Sequence, residues 1–95
     1  MMPEFLRVFD VKKATYLGGY KIKIVFGDRR SGIVNFEKYP KRKGVFEKFN
    51  DIEFFKKFYV NTELGVLSWP DDIDIAPERL YELAIGSSSA QNLLS

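Results

Sequence analysis

Two short stretches of the chain carry side chains whose types and spacing could do chemistry. The first is WPDDIDIAPERLYE, residues 69–82, where Asp71, Asp72, Asp74 and Glu78 follow a Trp-Pro pair without a spacer. Hard cations such as calcium and magnesium choose carboxylate oxygens, so four acids in one run form a candidate metal site. The spacing argues against it. A calcium loop alternates its acids, turns on a central Gly and closes on a distant Glu, and that pattern is missing. Simpler roles cover each residue. Asp71 and Asp72 make a turn after Pro70, and Pro77 opens a helix at its favoured first-turn position. Asp74 and Glu78 then lie near a helix N-terminus, where the macrodipole favours negative charge by about 0.3–1 kcal/mol. The stretch reads as a join between a strand and a helix, with no metal.

The second stretch is KYPKRKG, residues 38–44. Lys38, Lys41, Arg42 and Lys43 could hold phosphates while Tyr39 stacks on a base. The plainer reading is a charged surface loop that favours solubility and keeps a sheet edge unpaired. Four cations make few phosphate contacts. Residues 1–60 carry fourteen Lys/Arg against seven Asp/Glu, or +7, whereas residues 61–95 carry only Arg79 against six acids, or −5. That asymmetry predicts a basic and an acidic pole, and it limits any continuous positive face.

Composition narrows the chemistry further. The chain has no Cys, hence no disulfide, thiol nucleophile or Cys-based zinc site, and no His, the commonest general base and metal ligand. Carboxylates, Lys and Tyr remain, and no spacing pairs two of them for acid–base work. Gly18-Gly19 is no phosphate loop, because neither a following Gly-Lys-Ser/Thr nor the dinucleotide-binding spacing is present. The expectation is a protein that is not an enzyme and needs no cofactor.

The elements that must position these residues are legible from periodicity. Ninety-five residues make one domain with a modest core, which nine Phe, five Tyr and Trp69 supply with large side chains. In YKIKIVFGD, residues 20–28, Tyr20, Ile22, Ile24 and Phe26 alternate with Lys21 and Lys23, the period of a half-buried strand. Upstream, Phe9 and Val11 share one phase and Ala14 and Tyr16 the other, so a bulge or break is expected around Lys12–Lys13. Leu17-Gly18-Gly19 and GDRRSG, residues 27–32, read as turns, and Val34 and Phe36 share a face of a third strand. NDIEFFKKF, from residue 50, carries a capping-box pattern in Asn50 and Glu53 and predicts a helix of about two turns. FYVN and GVLSW then form a brief hairpin. Leu80, Leu83 and Ala84 give the last helix an apolar stripe that Gly86 ends.

The order FGDRRSGIVNF, VFEKFNDIEFFKKFYVN, LSWPDDIDIAPERLYE resembles the small bacterial proteins grouped as domain of unknown function 2442. Their pattern is a strand ending in Phe-x-Asp-Gly, an Asp a few residues on, a Phe-rich short helix, and a closing Trp-Pro-Asn-Gly-x-Asp-Ile-Ala-Pro-Glu-x-Leu-Tyr. The likeness covers roughly residues 8 to 83. Arg29 stands where the pattern has Gly, Asn35 where it has Asp, and Asp72 where it has Gly. The resemblance implies an α+β fold and no catalytic residues. Members also occur in toxin–antitoxin-like gene pairs, and some add a helix-turn-helix domain, for which this chain is too short.

Together these readings predict an α+β domain: an antiparallel sheet, meander plus short hairpin, with two short helices packed on one side. It should span residues 1–86, with a flexible tail at 87–95. With no apolar run near the ~20 residues of a membrane span and no secretory start, a cytoplasmic protein is expected. The expected function is a non-catalytic interaction domain, an antitoxin-like or regulatory partner of another small protein. The alternative is a nucleic-acid-binding accessory using Lys38, Lys41, Arg42 and Lys43. Self-association stays open. Tyr39, Tyr59, Trp69 and Tyr81 are the candidate interface aromatics, although Trp69 also suits the core if its indole N–H finds a partner.

Overall fold

Alternation in KIKIVF builds the centre of the first sheet. The computed structural model describes residues 9–86; residues 1–8 of the expected domain and the expected tail at 87–95 lie outside the described residues. Strand β1 (Val11–Gly18), β2 (Lys21–Phe26) and β3 (Ser31–Asn35) pair antiparallel in that order. Ile22, Ile24 and Phe26 are buried, while Lys21 and Lys23 face outward. The expected bulge is present: Val11 pairs with Phe26 but Lys13 with Val25. One extra residue resets the phase, so Val11, Ala14 and Tyr16 all turn to the core.

The β1–β2 turn needs its glycines, for Gly18 and Gly19 sit at φ 114° and 53°. At the β2–β3 turn the left-handed position is not a glycine. Arg29 takes φ 74° there, its N–H donating to the Phe26 carbonyl at 2.9 Å. An L side chain pays for the left-handed region, so Arg29→Gly should stabilise the domain by about 0.5–1 kcal/mol. An unchanged or lower urea midpoint would show that the turn carries no such strain.

After β3 the chain winds tightly. A 3-10 turn (Tyr39–Lys41) leads into a 3-10 helix (Val45–Asn50) and then α1 (Ile52–Phe55). The expected two-turn helix from Asn50 is thus a single α-turn, and its cap lies one residue later. Asp51 accepts from the Glu53 N–H at 3.0 Å, whereas the Asn50 amide donates to the carbonyls of Pro40 and Glu47. The tight winding has a packing reason. Phe46, Phe49, Ile52 and Phe55 recur every third residue, and a three-residue turn stacks such positions on one side. All four pack in or against the core.

The second sheet is β4 (Tyr59–Asn61), β5 (Val66–Trp69) and β6 (Ile73–Ile75), antiparallel in that order. The expected hairpin is therefore extended by a third strand. Asp71 and Asp72 both take positive φ, 67° and 61°, and so reverse the chain tightly enough to pair Trp69 with Ile73. Asp tolerates that conformation better than most residues. Asp74 consequently lies on a strand, opposite Ser68, and not at a helix N-terminus.

Pro77 opens α2 (Pro77–Tyr81) as expected, and a π-helical turn (Glu82–Gly86) follows. That turn lies against Gly32 of β3, where a Cβ would stand 2.6 Å from the Ala84 carbonyl oxygen. The sheets meet through the Val11 N–H, which donates to the Gly65 carbonyl at 2.8 Å. The inner faces of both sheets, with Phe49, Phe55 and Leu80, close on one core. The fold is α+β: two antiparallel three-stranded sheets and a few short helices. Among the described residues no helix is long and apolar enough to cross a membrane.

Candidate functional site

The acid-rich join turns inward at its aromatic end and outward at its carboxylates. Trp69 is 0% exposed and its indole N–H donates to the Phe55 carbonyl at 2.8 Å. Its ring lies 4.6 Å from that of Phe49 and 6.0 Å from those of Phe36 and Phe55. A buried indole with its one donor satisfied is a core pillar, so of the two expectations for Trp69 the core one holds and the interface one is overturned. Asp71 pairs with Lys48 at 2.6 Å across the surface. Asp72, Asp74 and Glu78 are exposed, and among the described residues no three His, Cys, Asp or Glu gather as metal ligands.

Tyr81, the last aromatic of the join, makes a contact that sequence reasoning missed. The Tyr81 hydroxyl donates to Asp28 Oδ2 at 2.5 Å, across 53 positions of chain. Asp28 Oδ1 accepts from the Arg30 N–H at 2.9 Å, and the Arg30 side chain stands 3.9 Å away. The ring of Tyr81 packs against Phe9 and Phe26, each 4.8 Å between centroids. The Asp of the Phe-x-Asp motif and the terminal Tyr of the closing motif are thus one hydrogen-bonded pair. Tyr81 is part-buried and committed internally, which removes its hydroxyl from the interface set.

This pair has a pH signature. Burial pushes the Asp28 carboxyl up, but the hydrogen bonds from Tyr81 and the Arg30 amide, with Arg30's charge, outweigh it and hold it below its ordinary 3.8. The hydrogen bond to Asp28 and then burial push the Tyr81 phenol above its ordinary 10.0. A lowered acid stabilises the fold above its unfolded value, and that contribution is lost as pH falls through the folded value. A raised phenol stabilises below its unfolded value, and that contribution is lost as pH rises through the folded one. Thermal melts should therefore show a plateau that declines at both flanks. Asp28→Asn should lower the plateau and flatten both declines; unchanged flanks would show that the pair is energetically silent.

The basic loop is only partly as expected. Lys38, Lys41, Arg42 and Lys43 are all exposed. Tyr39, however, is 5% exposed, ringed by Phe36 and Phe46, and covered by the Arg42 guanidinium at 4.3 Å. Its face is taken, so it neither stacks on a base nor meets a partner. Of the four candidate aromatics only Tyr59, 51% exposed on β4, offers an open ring.

A second basic surface was not singled out from the sequence. The outward positions of the first sheet are Lys13, Thr15 and Leu17 on β1, Lys21, Lys23 and Val25 on β2, and Ser31, Ile33 and Asn35 on β3. None is acidic. The only hint was the polar phase of KIKIVF, and the bulge in β1 hid that Lys13 joins it.

The arrangement defines a small α+β domain whose signature residues hold its own parts together. A family model described as "Protein of unknown function (DUF2442)" matches residues 11–86, and the chain belongs to that family. The chain matches no curated protein and no solved structure.

Proposed function

We propose that the domain is a non-catalytic interaction module, an antitoxin-like or regulatory partner of another small protein in the cytoplasm. What supports this reading is where the signature's polar groups go. Trp69 is bound to Phe55, Tyr81 to Asp28 and Asp71 to Lys48, so the groups best able to do chemistry serve the fold. With no His or Cys in the chain, the usual nucleophile–base pairings cannot be assembled. Binding through surface that remains open is the role left.

The test is capture of partners by the tagged protein from its own host lysate at physiological salt, with and without nuclease. One small protein recovered in near-equal amount, insensitive to nuclease, is the expected result. Nuclease-sensitive recovery would move the role to nucleic acid held by Lys38, Lys41, Arg42 and Lys43. Recovery of neither would overturn the proposal.

A further inference from the structure

The outer face of the first sheet has the composition of a docking surface for an acidic partner. Lys13, Lys21 and Lys23 are exposed, and their ammonium groups enter no ion pair or hydrogen bond among the described residues. Register places Thr15, Lys23 and Ile33 in one row across the sheet, and Lys13, Val25 and Ser31 in the next. Lys21 and Lys23, two residues apart on one strand, stand about 7 Å from each other. Flanking these cations, Ile33 on β3 is 55% exposed and Leu17 at the end of β1 46%. Glu37 reaches only the margin, beside Lys21 and Asn35 at the end of the sheet.

Charge and chemistry together choose the occupant. Three ammonium groups on one sheet face, with an acid near only Lys21, favour carboxylates or phosphates and repel basic partners. Single-stranded nucleic acid binds such faces by stacking its bases on aromatic rings, and the outward positions hold no Phe, Tyr or Trp. They hold aliphatic side chains instead. Aliphatic contact within a charged surround suits a protein segment that alternates acidic with apolar side chains. We infer that this face, centred on Lys23 and Ile33, docks an acidic, apolar-interleaved segment of a partner protein. The inference rests on the interaction-module reading and assigns it a surface.

The experiment titrates isotope-labelled protein with a short synthetic peptide alternating Glu and Leu, and in parallel with oligothymidylate. The peptide should shift the amide signals of Thr15, Lys23, Ile33 and their neighbours. K13E/K21E/K23E should weaken it at least about ten-fold, since close interfacial charge pairs are worth that much or more. The variant's melting temperature should stay put, because the three side chains hold nothing within the fold. Shifts mapping elsewhere would overturn the inference. Tighter binding of oligothymidylate on the same face would replace the partner with a polyphosphate. Wild-type self-association lost in the variant would replace it with a second copy. In the lysate, equal capture of a partner by wild type and variant overturns the face but not the interaction module. Capture by neither overturns both.

Discussion

Trp69→Ala is expected to remove a large share of the stability of the fold. Globular chains hold about 0.05–0.15 kcal/mol per residue, so this one has roughly 5–14 kcal/mol in total. Truncating a fully buried Trp costs about 3–5 kcal/mol through lost transfer energy and the cavity left behind. The site cannot collapse easily, because Phe36, Phe49, Phe55 and Phe58 approach the indole from different elements. The Phe55 carbonyl also loses its donor. Trp69→Phe separates these terms. It keeps a ring in the core but leaves that carbonyl unpaired, for about 1–3 kcal/mol. Urea denaturation of both variants checks the order. A Trp69→Ala protein as stable as wild type would mean that the indole is not the pillar of the core.

Gly65→Val should be the next most damaging change, at about 2–5 kcal/mol from two independent terms. Gly65 sits at φ 69°, a region where a β-branched residue is an outlier. A Cβ there would also stand 2.4 Å from Asp10 Cγ. Its carbonyl accepts from Val11, so strain at this point is transmitted to the contact between the sheets. Gly65→Ala should cost less, since it brings the same backbone penalty without branching. Thermal melts read the difference, because about 1 kcal/mol moves the midpoint of so small a domain by roughly 4–8 °C. Equal midpoints for wild type and Gly65→Val would show that the turn adapts freely.

Much of the framework was legible because local signals were strong. Lys-Ile-Lys-Ile-Val-Phe announces β2, paired glycines announce the first turn, and Pro77 announces α2. Local patterns failed where long-range packing decides. Ile73–Ile75 is too short to show a period beyond IDI, and the acids around it invited a helix-start reading. Residues 45–55 follow a period of three, which a search for helical spacing of 3.6 does not register. Tyr39 could not be placed from composition, because a small core fills with whichever rings the topology delivers to it. Asp28 and Tyr81 are 53 residues apart, and only the fold joins them. The basic sheet face had a similar cause: the bulge in β1 decides which lysine phase faces out.

The central claim is a division of labour: signature residues build the domain, and the outward lysines of the first sheet meet the partner. Two variants measured side by side test it, each by thermal melt and by capture from host lysate at physiological salt. Tyr81→Phe removes a hydrogen bond to a charged group, worth about 1.5–3 kcal/mol. It should lower the melting temperature and leave capture intact well below that midpoint. K13E/K21E/K23E should melt like wild type and capture nothing. The opposite pattern, capture lost with Tyr81→Phe and kept with the charge-reversed sheet, would contradict the account and place the binding site at the Asp28–Tyr81 pair.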